Sequence, residues 1–188
     1  MAQGIILAGG YSSRIGVNKM TLPYRDQPLI CHTVRSMAKS VSHIFVVTGH
    51  YHEDIVAALL PFSNLSIIHN PNYHQGMFTS VKAGIEFVTE DFFIIPGDYP
   101  LIRPTTYELL KTTQSEIAVP TFNGIKGHPL FIRASLIEAL KLEPPTSNLK
   151  TFRDHYPIAL IATDDEGILI DIDTENDHLS LLGRNEGK

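Results

Sequence analysis

From Leu7 to Lys19 the chain reads LAGGYSSRIGVNK. Gly9 and Gly10 are followed by the hydroxyls of Ser12 and Ser13 and by the cations Arg14 and Lys19. Glycines let backbone N–H groups converge on an anion, hydroxyls add donors, and arginine and lysine bring charge. The chemistry such a ribbon can do is to hold phosphates; the alternative is a surface turn. Two familiar phosphate loops do not fit. Val17 and Asn18 separate Gly16 from Lys19 and no hydroxyl follows the lysine, so the Gly-Lys-Ser/Thr pattern is missing. Gly9 and Gly10 are adjacent rather than alternating, which excludes the dinucleotide fingerprint. Carboxylates lie far downstream. Asp98 ends an apolar run, where it is either a metal ligand or a turn and cap residue. Asp171 and Asp173 alternate with isoleucines, a spacing that predicts one face of a strand. Two carboxylates on one face repel unless a cation offsets them. Magnesium takes a few oxygen ligands and keeps waters and phosphate oxygens, so Asp98 with either late aspartate would suit it.

These groups need elements to hold them. Gln3–Ala8 reads as a buried strand, followed by the loop and an amphipathic helix through QPLICHTVRSMAKS. Strand and helix then alternate: HIFVVTG, YHEDIVAALLP, LSIIHN, FTSVKAGIEFV, DFFIIPGD, RPTTYELLKTT and EIAVP. This rhythm predicts an α/β, Rossmann-like, mainly parallel sheet with helices on both faces. After Pro120 it changes to a late β-rich elaboration: a turn and strand through TFNGIKGHPLFI, a short helix ASLIEAL, and a Pro-rich loop EPPTSN. YPIALIAT and GILIDI flank DDEG as a predicted hairpin, and TENDHLSLLG is a final helix capped by Thr174. One domain over residues 1–188 is expected.

Composition removes whole classes of function. Of 188 residues, 43% are hydrophobic and 19% charged, as in a folded globular chain, and the net charge of −5 argues against coating nucleic acid. A single cysteine, Cys31, gives neither a disulfide framework nor a cysteine-based zinc site, and reads as a small core residue. No apolar run is long enough for a membrane span and no signal peptide is evident, so a cytoplasmic setting is expected. Nine histidines invite a metal reading. His50 and His52 sit at a strand-to-helix junction and read as polar loop and helix start; His69 and His74 flank the turn NPNY.

The motifs together resemble the MobA-like nucleotidyltransferases. ILAGGYSSRIGVNK is similar to that family's N-terminal signature, and NPNYHQGMFTSVKAGI, GDYPLI, GIKGHPLFI and DIDTEND resemble its molybdenum cofactor cytidylyltransferase branch. The resemblance spans nearly the whole chain in order. It implies the nucleotide-diphospho-sugar transferase type of fold, a nucleoside triphosphate with Mg2+, and transfer of a nucleoside monophosphate to molybdopterin with release of pyrophosphate. By implication Leu7, Ala8, Gly9, Gly10, Ser12, Ser13, Arg14, Lys19, Gly76, Ser80 and Asp98 bind nucleotide. Arg14, Lys19 and Asp98 carry catalysis, and Asp98, Asp171 and Asp173 hold metal. Lys126, Gly127, His128 and Pro129 face the acceptor, and a molybdoenzyme of the xanthine dehydrogenase type is an implied partner. The branch that transfers CMP often has Ala-Gly at Gly9–Gly10 and Arg-Gly-His-Pro where this chain has Lys126. CTP is the expected donor. GTP on the same acceptor, another phosphorylated acceptor such as a sugar phosphate, and a non-catalytic cofactor carrier are the alternatives. An acceptor phosphate is already ionised and needs no strong base, which agrees with the lack of a Ser-His-Asp or Cys-His signature.

Overall fold

The computed structural model describes residues 2–184. In chain order the elements are β1 (Ala2–Ala8), β2 (Pro23–Tyr24), β3 (Gln27–Pro28), α1 (Leu29–Met37), β4 (Ile44–Thr48), α2 (His52–Leu59), β5 (Leu65–His69), α3 (Met77–Ile85) and β6 (Asp91–Pro96). They continue with α4 (Pro104–Lys111), β7 (Ile117–Phe122), β8 (Ile125–Lys126), β9 (Leu130–Ile132), α5 (Ile137–Leu142), α6 (Leu149–Arg153), β10 (Ile158–Ala162) and α7 (Glu175–Gly183).

The main sheet has the order β10-β7-β9-β6-β1-β4-β5, with β8 paired to β7. β1, β4, β5 and β6 run parallel. β9 lies antiparallel between β6 and β7, and β10 adds in parallel to β7. Alternation along the strands divides the core in two. Ile6, Val46, Phe93 and Ile95 pack with residues of α1, α2 and α4, among them Val34, Ile55, Leu59 and Tyr107. Ile5, Val47, Phe92 and Ile94 pack with residues of α3, α5 and α6, including Val81, Leu140 and Phe152. Successive side chains of a strand leave opposite faces, so strands apolar at every position need helices on both. The predicted mainly parallel α/β sheet with its late β-rich elaboration is therefore observed.

The chain order reverses between β1 and β6. From β1 it proceeds outward to β4 and β5, then returns to β6 on the other side of β1. Ligands of open α/β sheets bind outside the carboxyl ends of strands at such a switch point. The loop after β1 and Asp98 after β6 both lie there, joined where Gly97 N–H donates to Leu7 O at 2.9 Å.

The hairpin predicted around DDEG does not form. β10 pairs in parallel with β7, and Glu166–Leu169 is a 3₁₀ turn. Buried Asp165 explains this. It accepts from Arg103 N–H at 2.8 Å and from the Thr106 hydroxyl at 2.6 Å, capping the start of α4, and from Gly167 N–H at 3.1 Å. Its carboxylate has a long-range task that a hairpin turn would have prevented. The strand predicted for Asp171 and Asp173 is also absent, for these residues belong to no strand or helix. The predicted cap at Thr174 is present as a capping box with Asp177.

Candidate active site

The ribbon after β1 is folded on itself. Ile15 and Gly16 donate to Ser12 O at 3.1 and 3.0 Å, and Ser12 Oγ accepts from Lys19 N–H at 3.2 Å. Ser12 thus spends a lone pair on shaping the loop. Asn18 caps the short 3₁₀ turn Lys19–Thr21, accepting from Met20 N–H at 3.1 Å, and donates to Asp54 at 3.3 Å. That buried anchor, which the sequence pattern did not single out, aims Lys19 at the end of β6. A cradle of about 300 Å³ is lined by Gly10, Ser12, Ser13, Arg14, Lys19 and Asp173.

The three aspartates meet. Oxygens of Asp98, Asp171 and Asp173 lie within 4.8 Å of one another, the only such group with metal-binding side chains among the described residues. A backbone bond brings them together: Ile172 N–H donates to Asp98 O at 3.2 Å, placing one late aspartate on each side of that contact. The Lys19 ammonium donates to Asp98 Oδ2 and, at 2.5 Å, to Asp173 Oδ1, while Arg14 donates to Asp173 Oδ2. Asp98 is only 5% exposed, and its Oδ1 is buried with no hydrogen-bond partner. Burial pushes the Asp98 carboxyl up, with the Lys19 charge offsetting part of the rise. Burial works against the Lys19 charge too, but Asp98 and Asp173 outweigh it and leave its pKa above the ordinary value. Asp173 is held below the usual carboxylate range by the hydrogen bond from Lys19, and Asp171 is raised by burial. An oxygen-only donor set with one orphaned buried oxygen fits a hard divalent cation such as magnesium.

Beside the cradle a cleft of about 360 Å³ is lined by Leu7, Gly9, Tyr73, His74, Gly76, Ser80 and Asp98, among others. Asn70, which does not line it, holds one side of it in place. The buried amide donates to Thr79 Oγ1 at 2.9 Å and Ser80 Oγ at 3.0 Å, and Asn70 Oδ1 accepts from Asn72 N–H at 3.0 Å. The turn NPNY is thus fastened to the first turn of α3. Gly49 permits the close approach of β1 and this turn: a Cβ there would lie 2.5 Å from Gly9 O and 2.6 Å from Tyr73 Cβ. At the mouth, Tyr11 packs on His50 and Tyr73 with ring centroids 4.9 and 5.4 Å apart. His50 therefore belongs to an aromatic rim, whereas His52 bonds Thr48 Oγ1 at 2.7 Å and packs against His69. Nothing in the local sequence signals that rim, because its members come from three separate loops.

A second chamber, of about 430 Å³, shares Leu7, Met77 and Pro96 with the cleft. Lys126, Gly127 and His128 line it with Tyr99, Lys150 and Arg153. Tyr99 and His128 pack with ring centroids 4.7 Å apart. His128 Nδ1 is buried without a partner, and burial lowers the imidazole pKa to about 4, so the ring is neutral at pH 7. Tyr99 is pushed up by burial and by the aspartates nearby. Gly127 is fixed by packing, since a Cβ would sit 2.4 Å from Ile168 O. Three expected site residues do not line these spaces, Asp171 among them, which borders a separate small pocket with Ile172, Asp177 and Arg184. Ala8 is buried in the core beside Ile6, and Pro129 is buried and lines neither cleft nor chamber. Strand alternation explains Ala8: Leu7 faces the cleft, so its neighbour faces away.

Residues 4–157 match the MobA-like NTP transferase domain. The chain is 33% identical over 186 residues to the molybdenum cofactor cytidylyltransferase of Escherichia coli, covering 96% of this chain and 95% of that protein. It is 31% identical over 134 residues to a probable molybdenum cofactor guanylyltransferase of Bacillus cereus, covering 68% and 65%. A solved nucleotidyl transferase from Methanothermobacter superposes with a TM-score of 0.83 at 20% identity, covering 98% of this chain and 97% of that one.

Proposed function

Since the chain belongs to the MobA-like NTP transferase family and is a nucleotidyltransferase, we propose that it transfers CMP from CTP to the terminal phosphate of molybdopterin and releases pyrophosphate. The observation that carries this reading is the meeting of Asp98, Asp171 and Asp173 with Lys19, which lines both cradle and cleft. Asp98 and Asp173, with Asp171 beside them, would hold a divalent cation, magnesium in this reading. Such an ion neutralises phosphate oxygens and polarises the reacting phosphorus.

The chain's own groups do the rest. Gly10, Ser12, Ser13 and Arg14 take the triphosphate in the cradle. Leu7, Gly9, Gly76 and Ser80 shape the space for base and ribose, and Lys126, Gly127 and His128 face the acceptor. An oxygen of the acceptor phosphate attacks the α-phosphorus, and the bond from that phosphorus to the β-phosphate oxygen breaks. The leaving pyrophosphate carries the electron pair away, and no proton is moved. Lys19 and Arg14 exchange aspartate for phosphate oxygens and stabilise the departing charge. The product is suited to a molybdoenzyme of the xanthine dehydrogenase type.

The longer match to the cytidylyltransferase supports CTP. GTP as donor is favoured by Gly9: a Cβ there would meet Ser80 Oγ at 3.0 Å, so glycine keeps the cleft open at this point. The experiment is pyrophosphate release with each of the four triphosphates, with and without molybdopterin. CTP-only release that requires molybdopterin is the expected result. Release with GTP alone selects the second reading, and binding without release would overturn both.

A further inference from the structure

Charge is distributed unequally between the two halves of the site. In the nucleotide half each cation already has a protein anion: Arg14 is on Asp173, and Lys19 is on Asp98 and Asp173. In the other chamber the cations are Lys126, Lys150 and Arg153, and no carboxylate lines the walls. Lys126 and Lys150 have no ion-pair partner among the described residues. Asp154 occupies Nε and Nη2 of Arg153, at 3.0 and 2.9 Å, and leaves Nη1. Three cations round one chamber, two of them uncompensated, are notable in a chain of net charge −5. The walls between them are apolar, with Ile94, Val119, Leu130 and Leu149, and Tyr99 and His128 present two rings. Charge at the rim over an apolar floor is the arrangement for a ligand with a cyclic body and an anionic end.

Resting on the acceptor reading above, we propose that α6 is the acceptor's anion clamp. Lys150 and Arg153, with Lys126 on the same chamber, bind the phosphate monoester of an acceptor whose flat body lies against Tyr99 and His128. Arg153 offers directed hydrogen bonds from a planar fork and Lys150 a point charge. His128 lines the chamber, and its Nδ1 is buried without a protein partner. Burial keeps the ring neutral; the nearby Asp171 charge opposes this and the Arg153 charge adds to it. A lysine and an arginine at the end of a helix also favour its dipole. In a helix of five residues that contribution is small, and it gives no reason for both side chains to line an apolar chamber.

The test is calorimetric titration of molybdopterin, and separately of glucose 1-phosphate, into the full chain with Mg2+ and a CTP analogue bridged by methylene between the α- and β-phosphorus. The variants are Lys150→Met, Arg153→Lys and the double variant Lys150→Met/Arg153→Met. Wild type should bind molybdopterin, and the double variant should weaken this about tenfold or more. Lys150→Met should weaken it less, and Arg153→Lys should keep part of the affinity. Affinity for the CTP analogue should stay within about twofold. Lys150 is exposed and unpaired, so its single variant remains informative even where the double variant folds poorly. If wild type binds glucose 1-phosphate and not molybdopterin, the acceptor reading fails. The clamp then stands where the variants lose the sugar phosphate and falls where they keep it. Unchanged molybdopterin affinity in the variants, or wild type binding neither phosphate ester, overturns the clamp.

Discussion

The ion pair of Lys19 with Asp98 is asymmetric, and replacing each partner in turn should expose this. Lys19→Met leaves Asp98 5% exposed with one oxygen already orphaned and the other newly stripped of its only side-chain partner. Removing one member of a buried pair costs roughly 3–5 kcal/mol, because the other charge stays buried and uncompensated. Asp98→Asn is a different perturbation. It relieves the burial of a carboxylate, and Lys19 keeps Asp173 at 2.5 Å, so its cost should be no more than about 1 kcal/mol. The double variant, with neither charge, should regain most of what Lys19→Met loses. In a chain of this size 1 kcal/mol shifts Tm by about 2–4 °C, so Lys19→Met should melt on the order of 10 °C below wild type. The assay is thermal and urea unfolding at pH 7 in chelator without nucleotide, followed by circular dichroism. Asp98 has a folded pKa raised by burial, so ionising it in the folded state carries a penalty. That penalty is absent below the unfolded carboxyl pKa and grows as pH rises towards the folded one. The deficit of Lys19→Met should therefore shrink as the buffer is made acidic. All three variants should lose turnover by about 10²-fold or more, so stability rather than activity separates them. Equal stability of Lys19→Met and Asp98→Asn would refute the asymmetry.

Gly49→Ala should destabilise the fold by about 1–3 kcal/mol and raise KM for the triphosphate, because its Cβ would press on Gly9 O and Tyr73. Gly10→Ala, with nothing within 4 Å of the new Cβ, should leave unfolding in urea unchanged. Asp171→Asn should raise the magnesium concentration for half-maximal pyrophosphate release but leave more activity than Asp98→Asn; equal losses would count against its place at the edge of the trio. The His128 ring should titrate near pH 4 in histidine-resolved NMR, and a midpoint at the ordinary value of about 6.5 would contradict its burial.

The sheet and its two helical layers are legible in the sequence because they depend on local periodicity. Phe92–Ile95 is apolar at every position, which only a strand covered on both faces tolerates, and both clusters it feeds are present. Pro104 and Thr174 mark helix starts by local chemistry and do so in the structure. The failures have a common cause. DDEG has the composition of a hairpin turn, but Asp165 reaches back to Arg103 and Thr106, and composition cannot encode a partner about 60 residues away. His50 is an exposed turn residue, as its sequence reads, but its packing on Tyr11 and Tyr73 joins loops far apart in the chain and has no local signal.

The late aspartates are the instructive case, since their expected local structure is wrong and their expected meeting with Asp98 is right. The alternation of LIDID would put Asp171 and Asp173 on one face of a strand, but residues 170–173 pair with no strand. Both carboxylates nonetheless reach the Asp98 carboxylate without a ladder. What replaces the ladder is one bond from Ile172 N–H to Asp98 O. Buried Ile172 packs with Tyr24, Leu29 and Leu181, which fixes the segment from the other side. The isoleucine between the two carboxylates therefore sets the site, and the pattern acid-apolar-acid signals it only once the partner backbone is known.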